Sequence, residues 1–221
     1  IERFGKGKKL VSFLSNSMGM SLSGKAEGFL LDGANGSYEY DLLGALKSDL
    51  VEKIYVDADR ECPDVRELLA LSKETGSISA YAYLGDVGQS VTGDKKAQTF
   101  EDSYLELLFA TIYSLGFNAV TYMPSRNMPA QLARVRALCE RYGFFQISGE
   151  DINSPRQPFV CEAQRGAEFA PLRDAALALI GHELAATEDP DAAMFSEAAA
   201  KKFPDLQARV RHYKSLARVA E

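Results

Sequence analysis

Histidine is scarce in this chain: among 221 residues there are two, His182 and His212, both in the last quarter. Imidazole is the commonest metal ligand and proton carrier at neutral pH, so a histidine-rich zinc centre is not expected. The stretch "GHELAA" is not HExxH, because Ala186 stands where the second histidine would be. The two histidines are expected on helices, in surface or packing roles. Cysteine is nearly as rare. Cys62, Cys139 and Cys161 are far apart and form no CxxC pair, which reads as reduced thiols rather than a disulfide frame. Cys139 falls on an apolar helical face, while Cys62 and Cys161 flank loops with no histidine nearby to activate them. No apolar run approaches the roughly 20 residues of a membrane helix. A basic surplus is also missing: the net charge is -6, with no basic stripe, which argues against nucleic acid and anionic membrane as partners. No Walker loop, GxGxxG or GxSxG is found.

What is present describes a globular protein with ample core, at 46% hydrophobic and 25% charged residues. No signal-peptide pattern opens the chain, and the expected compartment is the cytoplasm. Because it begins with Ile1, a further N-terminal portion of the same protein is an expected partner.

Apolar spacing predicts a short helix within Phe4–Met18 and another over Tyr40–Leu50. They are separated by the turn-rich "LDGANGSYEYD", where Gly33 and Gly36 are expected to supply backbone freedom. From residue 51 an alternating rhythm begins. Strands are predicted near 54–57, 77–83, 117–123 and 144–148. Helices are predicted from Pro63 to Glu74, Phe100 to Leu115 and Pro129 to Tyr142, with Pro63 opening the first. Gly76, Gly116 and Gly143 close these helices. The repeated unit of helix, glycine, strand and polar loop predicts a parallel sheet with crossover helices. Beyond Phe159 the chain turns alanine-rich, with helices expected at Ala167–Thr187, Asp191–Lys202 and Asp205–Ala220. Three regions are therefore expected: an N-terminal helical segment (1–50), an α/β core (51–160) and a helical C-terminal tail (161–221).

In a parallel sheet the loops "YLGDVG" (83–88), "YMPSRN" (122–127) and "SGEDINSPRQ" (148–157) share one rim. That rim would gather Tyr83, Asp86, Tyr122, Arg126, Asn127, Glu150, Asp151, Asn153 and Arg156, with Asp94 and Lys95 as further candidates. Carboxylates there suit hard cations or acid–base work, and arginines suit phosphate or carboxylate.

The segments "TGSISAYAYLGD" (75–86), "LGFNAVTYMPSRNMPAQLARVRALCERYGF" (115–144) and "FQISGEDINSPRQ" (145–157) resemble the late motifs of the PHP superfamily, named for polymerase and histidinol phosphatase. The resemblance covers roughly residues 40 to 160. It implies a partial or distorted (β/α) barrel, of seven units in the family, and metal-dependent phosphoester hydrolysis using manganese, magnesium or zinc. Asp151 matches a metal-ligating aspartate of the family. Asn153 and Tyr83 stand where two histidine ligands would be, and Thr121 where many members carry an acid. Under this resemblance Asp151, Glu150 and Asp86 are the catalytic candidates, with Asp151 on the metal. Arg126, Arg156, Asn153 and Tyr83 would bind a small phosphorylated molecule. The family's earlier HxH and TDH motifs are missing from the chain, so hydrolysis by these residues alone is expected to be weak. Two alternatives remain: a non-catalytic ligand-binding or regulatory module on the same fold, and an unrelated barrel lyase or isomerase.

Overall fold

The computed structural model describes residues 1–50, 53–54, 61–86, 99–152 and 154–217. The chain divides into two compact units, with Ile1–Glu61 forming the body of the first and Cys62–Gly88 with Ala97–Glu221 forming the second.

The first unit is helical. Helix α1 (Lys8–Ser12) runs on as a π-helical turn to Ser17, and is followed by α2 (Gly24–Leu31) and α3 (Tyr38–Leu50). Leu10, Val11, Leu14, Met20, Leu30 and Tyr38 make its core. The Tyr38 hydroxyl ties three segments: it donates to the Leu30 carbonyl and accepts from the Gly7 N–H, both at 2.8 Å. Burying a phenol this way leaves no polar atom unsatisfied. The break between α2 and α3 corrects one expectation. Neither Gly33 nor Gly36 adopts positive φ. The turn is made by side chains instead, Asp32 accepting from Ala34 N–H and Asn35 from Ser37 N–H. Sequence reading also missed α2, whose "SGKAEG" opening looks like a loop; Ser23 caps it by accepting from Ala26 N–H.

The second unit alternates as expected: α4 (Val65–Thr75), β1 (Ala80–Ala82), α5 (Leu105–Leu115), β2 (Ala119–Tyr122), α6 (Pro129–Tyr142) and β3 (Phe145–Ser148). The sheet order is β1-β2-β3 and both pairings are parallel. The strand predicted near 54–57 falls largely outside the described residues. Among the described residues the sheet is open, so the expected barrel closure is not seen. Closure takes about eight staggered strands, and three leave two edges. Gly76, Gly116 and Gly143 close α4, α5 and α6 in the left-handed conformation, at φ 71°, 88° and 71°. Pro63 does not open α4. Asp64 caps it, accepting from Arg66 N–H, and the proline lies just before.

Helices α7 (Ala170–Glu188), α8 (Glu197–Lys202) and α9 (Leu206–Ala217) follow. The single helix predicted over Asp191–Lys202 is instead a short 3-10 turn at Pro190–Ala192 and then α8, because Ser196 caps afresh by accepting from Ala199 N–H. Strand alternation splits the core in two. Val120 and Tyr122 face α5 and α6 with Phe109, Val135 and Leu138. Ala119, Phe145 and Ile147 face the tail with Ala175, Ala178, Met194 and Tyr213. The tail is thus the second covering layer of the sheet.

Both histidines pack within this layer. His182 is buried, and its Nδ1 accepts the Met194 N–H at 3.0 Å. The buried Arg209 guanidinium donates to the Met194 carbonyl and to Phe203 O, and lies over the Phe195 ring. His212 stacks on Phe203.

The packing of this layer can be tested at two residues. At Gly181 an added Cβ would fall 1.8 Å from the Tyr213 carbonyl oxygen, a backbone atom that cannot step aside. Gly181→Ala is expected to push α9 off α7 and cost about 3 kcal/mol or more, read by chemical denaturation. Burial lowers the His182 pKa from its ordinary 6.5. The folded state therefore prefers the neutral ring, and this contribution is complete above 6.5 and fades as pH falls below it. The melting temperature is expected to drop as pH falls below about 6.5, with a shallower drop in His182→Gln.

Candidate functional site

The carboxyl ends of β1, β2 and β3 open into the loops beginning at Tyr83, Met123 and Gly149. What holds the first of these is a pair of adjacent acids that sequence reading did not single out. Glu101 is 1% exposed. Its carboxylate accepts from the Tyr81 hydroxyl at 2.5 Å, Leu84 N–H at 2.9 Å and Gly85 N–H at 2.8 Å. Asp102 accepts from the Tyr83 hydroxyl at 2.5 Å, Gln131 Nε2 at 2.6 Å and Asp86 N–H at 3.2 Å. The acids ride on a 3-10 turn (Glu101–Tyr104) that leads into α5. In sequence they look like acids at a helix start, where carboxylates are common for the dipole alone. Their partners are visible only once β1 is in place.

The neighbours complete the brace. Gln131 accepts Met128 N–H with its oxygen and donates to Asp102 and to the Asp86 carbonyl. Asn127 is buried, accepts Met123 N–H at 2.8 Å and donates to the Leu84 carbonyl at 2.8 Å. Gly85 sits at φ 69° with a would-be Cβ 2.7 Å from the Tyr83 hydroxyl, so only glycine fits there.

These bonds set the electrostatics. Burial, followed by the hydrogen bonds to Glu101 and Asp102, pushes the phenols of Tyr81 and Tyr83 far above their ordinary value, which keeps both as donors. Burial acts to raise the Asp102 carboxyl, but the bonds from Gln131, Tyr83 and Asp86 N–H, with Arg134 nearby, bring it below its ordinary value.

The sequence candidates among the described residues then find their places. Tyr83 is fully buried and spends its hydroxyl on Asp102. Asp86 accepts from Phe100 N–H at 2.6 Å and Asp102 N–H at 3.3 Å. Tyr122 is buried, with its hydroxyl on Gln146. Glu150 bridges the second and third loops, accepting from Ser125 N–H at 2.7 Å and from the Ser125 hydroxyl at 2.5 Å. Burial raises the Cys161 thiol, and Glu150 beside it acts in the same direction, which disfavours a thiolate. Asp151 and Arg156 lie exposed on the third loop, where the Asp151 carbonyl accepts from Gln157. Arg126 is half-buried, and its guanidinium makes no hydrogen bond or ion pair with a described residue. Asp94, Lys95 and Asn153 lie outside the described residues.

Among the described residues no three histidine, cysteine, aspartate or glutamate side chains come together as metal ligands. Glu101, Asp102, Asp86 and Glu150 are instead turned onto N–H and O–H donors of the protein itself. Among the described residues the donor set therefore does not fit the metal centre that the PHP resemblance implies. Set against family models, curated proteins and solved structures, the chain matches none. No helix among the described residues is long and apolar enough to cross a membrane.

The Glu101 carboxylate yields a direct test. Glu101→Ala would strand the N–H groups of Leu84 and Gly85, at about 1–3 kcal/mol for each buried unmet donor. Stability is expected to fall by about 2–4 kcal/mol, with faster amide exchange at Leu84 and Gly85 than in the parent chain.

Proposed function

We propose that the rim at the carboxyl ends of β1, β2 and β3 binds a small phosphorylated molecule, and that the chain is a ligand-binding module rather than a complete hydrolase. The observation that carries this is the division of labour at the rim. Its carboxylates Glu101, Asp102, Asp86 and Glu150 are committed to protein donors, whereas the Arg126 guanidinium has no protein partner among the described residues. An anion on Arg126 would satisfy that charge, and a planar fork suits a phosphate. Arg156 lies on the exposed third loop of the same rim.

The family resemblance belongs to this proposal. The three parallel strands would be a section of a distorted (β/α) barrel of the PHP type, with Asp151 kept from a metal-ligand motif. Hydrolysis in such a family depends on ions that acidify a bound water and shield the phosphate. The Tyr83 hydroxyl donates to Asp102, and Glu150 accepts from the Ser125 N–H and hydroxyl, so protein partners already fix the direction of both side chains. These ties favour a rim that cradles an anion over one that activates a water on a metal.

The test is titration of the chain with inorganic phosphate and with a phosphomonoester, followed by amide chemical shifts. Saturable shifts are expected in residues 123–127 and 149–152, weakened about tenfold or more in Arg126→Ala. Turnover of the phosphomonoester with manganese, magnesium or zinc is expected to be negligible. Robust turnover that vanishes in Asp151→Ala would replace the module by an enzyme.

A further inference from the structure

A second candidate site lies in the helical layer and uses none of the rim residues. A cavity of about 300 Å³ opens between α7, the Pro190–Ala192 turn, α8 and α9. This is near the lower end of the range for small-molecule sites, about 300–1,000 Å³. Its apolar lining is mostly small, with Ala185, Ala192, Ala198 and Ala199 beside Leu216 and Phe203.

Three charged side chains also line it: Asp189, whose carboxylate already accepts the Asp191 N–H, and the oppositely charged Asp191 and Lys202. Asp191 has its backbone occupied, its N–H on Asp189 and its carbonyl on the Ser196 hydroxyl. Its carboxylate makes no hydrogen bond or ion pair with a described residue. Lys202, the last residue of α8, holds its ammonium 5.4 Å from the Phe203 ring centroid and likewise forms no ion pair with a described residue. The two do not pair with each other. His212 stacks on Phe203 with centroids 4.4 Å apart and closes the aromatic side.

We propose that this cavity binds a free aliphatic α-amino acid. Its carboxylate would sit on Lys202, its ammonium on Asp191, and its side chain among Ala185, Ala199 and Leu216. The charge arrangement selects this class. A simple anion would meet Asp191, a simple cation would meet Lys202, and an uncharged apolar molecule would leave both charges without partners. A zwitterion on an apolar stem satisfies both. The alanine walls favour a branched aliphatic stem, since Phe203 and His212 already fill the aromatic side by stacking on each other.

The experiment titrates the full chain with L-leucine, with 4-methylpentanoate, which lacks the ammonium, and with 3-methylbutylamine, which lacks the carboxylate. Amide shifts around Ala185, Ala199 and Leu216 report binding. L-leucine is expected to saturate, and each analogue to bind about tenfold more weakly, because a charge-assisted bond is lost. Lys202→Ala and Asp191→Asn should each weaken L-leucine by a similar factor without changing the melting temperature, both side chains being exposed. Ala199→Leu should fill the cavity and abolish binding. No saturation by L-leucine up to about 50 mM, a far weaker interaction than a built site gives, would overturn the proposal. So would equal binding of either analogue, or unchanged binding in both charge variants. The charge variants keep the test decisive if Ala199→Leu fails to fold.

Discussion

Two neighbouring acids, Glu101 and Asp102, hold the end of β1 to the start of α5, and the geometry of the rim depends on them. Each accepts three hydrogen bonds, and together they receive two phenols, one side-chain amide and three backbone N–H groups. A buried carboxylate is tolerated when donors meet its oxygens, and both oxygens of Glu101 are met. The consequence reaches past β1. Gln131 carries the tie to the first turn of α6, and Asn127 carries it from the loop after β2 back to Leu84. Glu150 extends it to the loop after β3 through Ser125. The three loops are therefore one hydrogen-bonded object, stiffened by the same kind of side chain that a metal-dependent hydrolase would leave free.

Much of the sheet was legible in the sequence because its signals are local. A glycine that closes a helix in the left-handed conformation, followed by a β-branched and aromatic run, marks the same step at Gly76, Gly116 and Gly143, and the strands start three or four residues later, or two after Gly143. Parallel pairing follows from the intervening helices. The polar character of the strand-end loops was legible as well. What the residues do there was not. Asn127 and Asp86 have the composition of ligands, yet they serve as backbone braces, and only long-range partners such as Leu84 and Phe100 reveal it. Glu101 was hidden for the opposite reason, since an acid before a helix has a sufficient local explanation. Turn chemistry misled at Gly33 and Gly36, where Asp32 and Asn35 carry the bend.

The tail shows the same contrast. The alanine-rich stretches after Phe159 were legible as helices, but their spacing hides how close they come. Gly181 lets α7 meet the backbone of α9, and the buried pair of His182 and Arg209 divides the N–H and carbonyl of Met194 between them. Small residues that allow this approach also leave the cavity between α7, α8 and α9, so tight packing and an open pocket have one origin.

The central position of β2 bears on the order in which the second unit assembles. Both of its edges are paired, to β1 on one side and β3 on the other. Each pairing spans a whole crossover, so neither is a local hairpin that could zip up on its own. Loop-closure entropy has to be met before either ladder rewards it. Strand β2 is therefore the last strand to be released when the unit opens, and its amide protons should be the slowest to exchange with solvent.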